Sequence, residues 1–156
     1  MTKPLTIEKR RFDPPDQALD FKGHGKIRII KMPDGTTGMH AILEPGWTWT
    51  EDEKPLLGHP DSCPMRHVGY SISGDLVVRM VESGVETHIL AGDFFDIPAG
   101  HDGYVAGTQP VELILFAGPE PHQHSKSGCP GGSLHHHRSG HEGMGRAVIG
   151  EASPAA

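Results

Sequence analysis

At 156 residues the chain suits one domain with its own core rather than two. Apolar residues make up 35% of it and charged residues 22%, while 21 Gly and 14 Pro argue against long helices and for many short strands joined by turns. The net charge of −6, with no basic cluster longer than Lys9-Arg10-Arg11, speaks against a nucleic-acid partner; with no apolar run of membrane-spanning length, the expectation is a soluble, cytoplasmic protein without a membrane partner.

In chain order, residues 1–25 are polar, carry the breaker cluster Asp13-Pro14-Pro15-Asp16 and show no sustained periodicity. They read as an arm packed on the domain or on a partner subunit. Residues 26–118 hold most of the strand-like material. A strand over Lys26–Met32 ends at Pro33-Asp34-Gly35, and one over Gly38–Leu43 ends at Glu44-Pro45-Gly46. Val68–Ile72 stops at Ser73-Gly74-Asp75, and Leu76–Val81 at Glu82-Ser83-Gly84. Val85–Leu90 ends at Ala91-Gly92-Asp93, Phe94–Ile97 at Pro98-Ala99-Gly100, and Val111–Ala117 closes the set. Short strands bounded by Gly, Pro or Asp predict an antiparallel sandwich or barrel, and no segment shows helical periodicity with caps. The fold class is all-β. Residues 119–156 are poor in large apolar side chains and rich in Gly, Pro, Ser and His. Such a tail cannot offset its ordering entropy by burial, so it is expected to be flexible.

Two segments resemble the cupin superfamily. Gly92-Asp93-Phe94-Phe95-Asp96-Ile97-Pro98-Ala99-Gly100-His101 fits the cupin pattern G-x5-P-x-G followed closely by a histidine. Its turn at Pro98-Ala99-Gly100 would deliver His101 to the mouth of a barrel. The other cupin segment, G-x5-H-x-H-x3-4-E-x6-G, is matched when its last glycine is set on Gly74. The metal-binding Glu position then falls on His67, and the two His positions fall on Asp61 and Cys63. In the second segment the family's histidine position falls on Gly103, two residues after His101. The resemblance covers roughly residues 38–117, where the strand and turn signals persist. It implies an antiparallel double-stranded β-helix, or jelly-roll, barrel. It assigns no particular activity, because cupins carry many.

Twelve histidines make metal chemistry the first hypothesis to test. The resemblance implies a metal pocket built from Asp61, Cys63, His67 and His101, with His59 as another candidate for the fourth position. Asp61 and Cys63 would share one face of an extended segment. A thiolate with two imidazoles suits zinc, with iron or nickel as alternatives. Cys63 and Cys129 could instead pair, but isolated cysteines in a cytosolic chain are more often free thiols or ligands. Trp47 and Trp49 read as core or pocket wall. Arg66, Arg79, Tyr70 and Tyr104 could orient an oxygenated or anionic ligand, and Asp102 could orient the His101 imidazole, although solvated strand residues and a turn former are the plainer readings. In the tail, His122, His124, His135, His136, His137 and His141, with Cys129 nearby, form a second histidine cluster without a scaffold.

The functional expectation is a metal-dependent enzyme acting on a small molecule, with no catalytic residue assigned. The alternatives are a non-catalytic cupin that binds or senses a small ligand or metal ion, and a metal-free barrel serving as an interaction module. A homodimer is expected, with residues 1–25 as a plausible swapped arm.

Overall fold

The computed structural model describes residues 4–118, all within the compact unit Met1–His122. The histidine cluster and Cys129 of the tail lie outside the described residues. Nine strands form among the described residues: β1 (Gln17–Asp20), β2 (Gly25–Lys31), β3 (Thr37–Leu43), β4 (His67–Ser73), β5 (Asp75–Met80), β6 (Glu86–Leu90), β7 (Phe94–Ile97), β8 (His101–Ala106) and β9 (Val111–Ala117). One sheet has the order β1-β2-β3-β9-β4-β7 and the other β6-β5-β8, with every pairing antiparallel. From β4 onward the chain passes repeatedly between the sheets, which makes the architecture a double-stranded β-helix.

The residues dictate these crossings. β9 reads Val111-Glu-Leu113-Ile-Leu115-Phe-Ala, and its odd-numbered residues Val111, Leu113 and Leu115 are buried while Phe116 is half exposed. That period of two is what a sheet with one face on a core requires. The turn from β4 into β5 carries Gly74 at φ +83, where a Cβ would lie 2.5 Å from the Pro110 carbonyl oxygen. Only glycine tolerates both the conformation and the approach. Gly69 inside β4 answers to the close approach alone: a Cβ there would lie 2.3 Å from Ile114 O and 2.9 Å from the tip of the Phe95 ring. The core between the sheets gathers Leu43, Trp47, Leu76, Val78, Phe95 and Leu113 among others.

Three features differ from the sequence-based expectation. Residues 17–20, within the expected arm, form β1 and pair with β2, extending the larger sheet. β8 runs where only a turn and loop were expected, because Asp102 and Gly103 interrupt its apolar alternation. Between β3 and β4 the chain makes a π-helical turn, Trp49–Glu53, followed by a 3-10 turn, Lys54–Leu57. Thr48 caps the first: its hydroxyl accepts from the Glu51 amide at 3.1 Å, and its own amide donates to Asp52 Oδ2 at 3.0 Å. Such a turn is too short to show a period in the sequence.

Candidate metal centre

Cys63, His67 and His101 come from three places in the chain and meet at one end of the barrel. Cys63 lies in the loop before β4, where its amide donates to the His101 carbonyl and its carbonyl accepts from the Gly100 amide, both at 2.8 Å. That pair of bonds fastens the loop to the start of β8. His67 opens β4 opposite Ile97 of β7. His101 follows Gly100, whose φ of +98 sharpens the turn from β7 into β8.

One ligand atom from each of the three residues lies within 4.8 Å of the others. Cys63 Sγ and His67 Nε2 are 3.5 Å apart. Bonds of about 2.3 Å to sulfur and about 2.05 Å to nitrogen, at a tetrahedral angle, put two such donors about 3.6 Å apart. The separation therefore matches two ligands of a single ion. His101 Nδ1 donates to the Pro98 carbonyl at 2.6 Å, and since a carbonyl only accepts, this contact fixes the tautomer. The lone pair then resides on Nε2, free for a metal.

The electrostatics keep the three groups uncharged. Burial pushes the His67 pKa down to about 4, with His101 adding to the effect. Burial also lowers His101, against the opposing hydrogen bond to Pro98 and the charge of Asp102. The Cys63 thiol is raised by burial, with Glu53 adding to the rise, while the Met65 backbone and the Trp49 side chain favour the thiolate. Trp49 Nε1 is itself buried without a full hydrogen-bond partner, so its effect on the sulfur is that of a nearby dipole. His67 Nδ1 is likewise buried and unpartnered. The donor set and its spacing fit a borderline divalent ion such as zinc.

The cavity beside these residues has a volume of about 80 Å³ and is walled by Leu43, Trp47, Trp49, Leu76 and Phe95, with Glu53, His67 and His101 as its acid–base groups. An ion with a few waters, or a ligand of a few heavy atoms, fits that space. Glu53 was not foreseen from the sequence. It ends the π-helical turn, and burial with help from Asp52 raises its carboxyl to about 7. The signal that could have found it is its place four residues after Trp49, one helical turn from a pocket-wall aromatic.

The remaining sequence candidates stand elsewhere. Asp61 is exposed and outside the group of three, as is His59, which is exposed at φ +60. Arg66, just before β4, pairs with Asp96 of β7, and Arg79 of β5 with Asp102 of β8, both pairs on the outer side. Exposed pairs of this kind contribute little to stability. Asp102 thus serves Arg79, and the His101 ring is oriented by Pro98 instead. Tyr70 and Tyr104 are exposed, whereas Trp47 and Trp49 are buried in the core and cavity wall. Cys63 is a free thiol.

A solved protein with a double-stranded β-helix domain from Klebsiella pneumoniae superposes with a TM-score of 0.50 at 16% identity, covering 74% of this chain and 93% of that one. The chain has the cupin fold. Two further solved structures are similar over shorter stretches of this chain. KdgF from Halomonas sp. gives a TM-score of 0.47 at 19% identity, over 68% of this chain and 88% of that one. A protein of unknown function from Acidithiobacillus ferrooxidans gives 0.45 at 18% identity, over 66% and 87%. No protein-family model matches the chain, and no curated protein matches it. Among the described residues no helix is long and apolar enough to cross a membrane.

Proposed function

We propose that this cupin-fold protein holds one divalent transition ion, zinc first among the candidates, through Cys63, His67 and His101, and acts as an enzyme on a small molecule in the barrel cavity. The observation that carries this reading is the convergence of one thiol and two uncharged imidazoles within 4.8 Å, beside an otherwise apolar cavity. Three protein donors would leave a four-coordinate ion one position for a ligand, the pattern of catalytic rather than structural sites. An ion bound there supplies Lewis acidity to a ligand oxygen or nitrogen. The chain's own contribution is positional: Pro98 fixes the His101 ring, the Cys63–His101 bridge fixes the loop, and Trp47, Trp49 and Phe95 keep bulk water from the cavity.

Cobalt substitution tests the ligand set. The intact chain should give a thiolate-to-cobalt charge-transfer band in the near ultraviolet, and Cys63→Ser should remove it. An unchanged band in Cys63→Ser would reject Cys63 as a ligand.

The small cavity favours a second reading, a non-catalytic holder or sensor of a metal ion or compact ligand. A fourth protein donor in the coordination shell, with no exchangeable water, would support that alternative. Phe94, Tyr70 and Phe116, which lie exposed on the outer face of the larger sheet, support a homodimer formed through that face, and sedimentation equilibrium tests it.

A further inference from the structure

Glu53 lines the same cavity as His67 and His101. Among the described residues its carboxylate has no hydrogen-bond or ion-pair partner, unlike the carboxylate of Asp102, which faces the outer side of its sheet and is held there by Arg79 at 2.9 Å. Its oxygens lie outside the cluster of donor atoms formed by Cys63, His67 and His101, yet its charge is felt at the Cys63 sulfur. A partner-free carboxyl on an apolar wall, sharing a cavity with two of the three donor residues and not part of the donor group, has the placement of a group that exchanges protons with what binds there.

Resting on the metal reading above, we propose that Glu53 is the proton-transfer group of the cavity, acting on a small, weakly acidic, metal-chelating ligand of a few heavy atoms. A carboxylate oxygen of Glu53 takes the proton from the ligand's O–H or N–H as the conjugate anion forms, and returns it when the ligand leaves. The O–H or N–H bond of the ligand breaks, the Glu53 O–H bond forms, and no proton reaches solvent. Burial raises the proton affinity of the carboxyl, so the carboxylate present at pH 8 is a stronger acceptor than an ordinary one.

Acetohydroxamic acid is a suitable probe, because it chelates as its anion. The experiment titrates it into the zinc-loaded intact chain at pH 8 by calorimetry, in two buffers of different ionisation enthalpy, which counts the protons released. The intact chain should release close to none, and Glu53→Gln should release roughly one per site, with zinc affinity kept within about threefold. Glu53→Asp, which keeps the acid on a shorter arm, should retain part of the proton. Equal proton counts in the intact chain and Glu53→Gln would overturn the proposal. So would a loss of zinc affinity of about tenfold or more in Glu53→Gln, which would make Glu53 a ligand, or a zinc-loaded chain that does not bind the probe. An intact chain that takes up no zinc would instead reject the metal centre itself, and the role of Glu53 with it.

Discussion

Glu53 and His67 face one cavity with oppositely displaced proton affinities, and the stability of the metal-free protein should show it. Folded His67 protonates only near pH 4, against an ordinary 6.5. Between those values the unfolded chain carries the extra proton, so stability falls as pH drops from 6.5 toward 4. At about 1.4 kcal/mol for each tenfold change, the loss is about 3 kcal/mol. Glu53 works the other way: its folded carboxyl titrates near 7, against an ordinary 4.5. There the folded protein carries the extra proton, so the contribution is full below 4.5 and is lost as pH rises toward 7, again by about 3 kcal/mol. The two windows overlap between 4.5 and 6.5, where the slopes nearly cancel. Glu53→Gln removes one of them and leaves His67, joined by the lowered His101, uncompensated. The variant should therefore lose about 3 kcal/mol more than the parent between pH 6.5 and 4.5. Urea denaturation in the presence of a chelator, at three pH values, measures it. Parallel profiles for parent and variant would refute the assigned burial of these two groups.

Zinc affinity should rise about tenfold per pH unit between pH 6 and 8, because the raised Cys63 thiol must release one proton on binding while both imidazoles are already neutral. Competition titrations with a chromophoric chelator check the slope, and a slope near zero would contradict thiolate ligation. Asp61→Asn should change zinc affinity by less than about threefold, since Asp61 is exposed and outside the donor cluster. A loss of tenfold or more in the same assay would restore Asp61 to the coordination shell. Gly69→Ala should destabilise the barrel by about 2–3 kcal/mol, as its Cβ would meet Ile114 O at 2.3 Å and the Phe95 ring at 2.9 Å, and the shift in urea midpoint reads it.

The strands that punctuate themselves were legible in the sequence. Phe94–Ile97 and Val111–Ala117 stand where alternation and flanking turn residues put them. β8 was not legible, because Asp102 faces Arg79 on the outer side and Gly103 packs its backbone close to Val77 O, so neither residue advertises a strand. β1 is only four residues long and follows a proline cluster, and its assignment rests on pairing with β2 rather than on any local preference. At the site, Cys63, His67 and His101 could be singled out by residue type and by the turn that precedes His101. What holds them together could not, since it consists of backbone hydrogen bonds between segments far apart in the chain. Glu53 was hidden for a related reason. An acidic residue in a polar stretch looks solvated until tertiary packing places it on an apolar wall.

The most direct test of the central claim is the metal content of the intact chain compared with that of Cys63→Ala/His67→Ala, measured by mass spectrometry after exhaustive dialysis against metal-free buffer. The histidine-rich segment beyond residue 118 is present in both proteins, so the difference between them reports the barrel alone. The account predicts roughly one more equivalent of a divalent transition ion in the intact chain than in the double variant. Equal metal content in the two would contradict it.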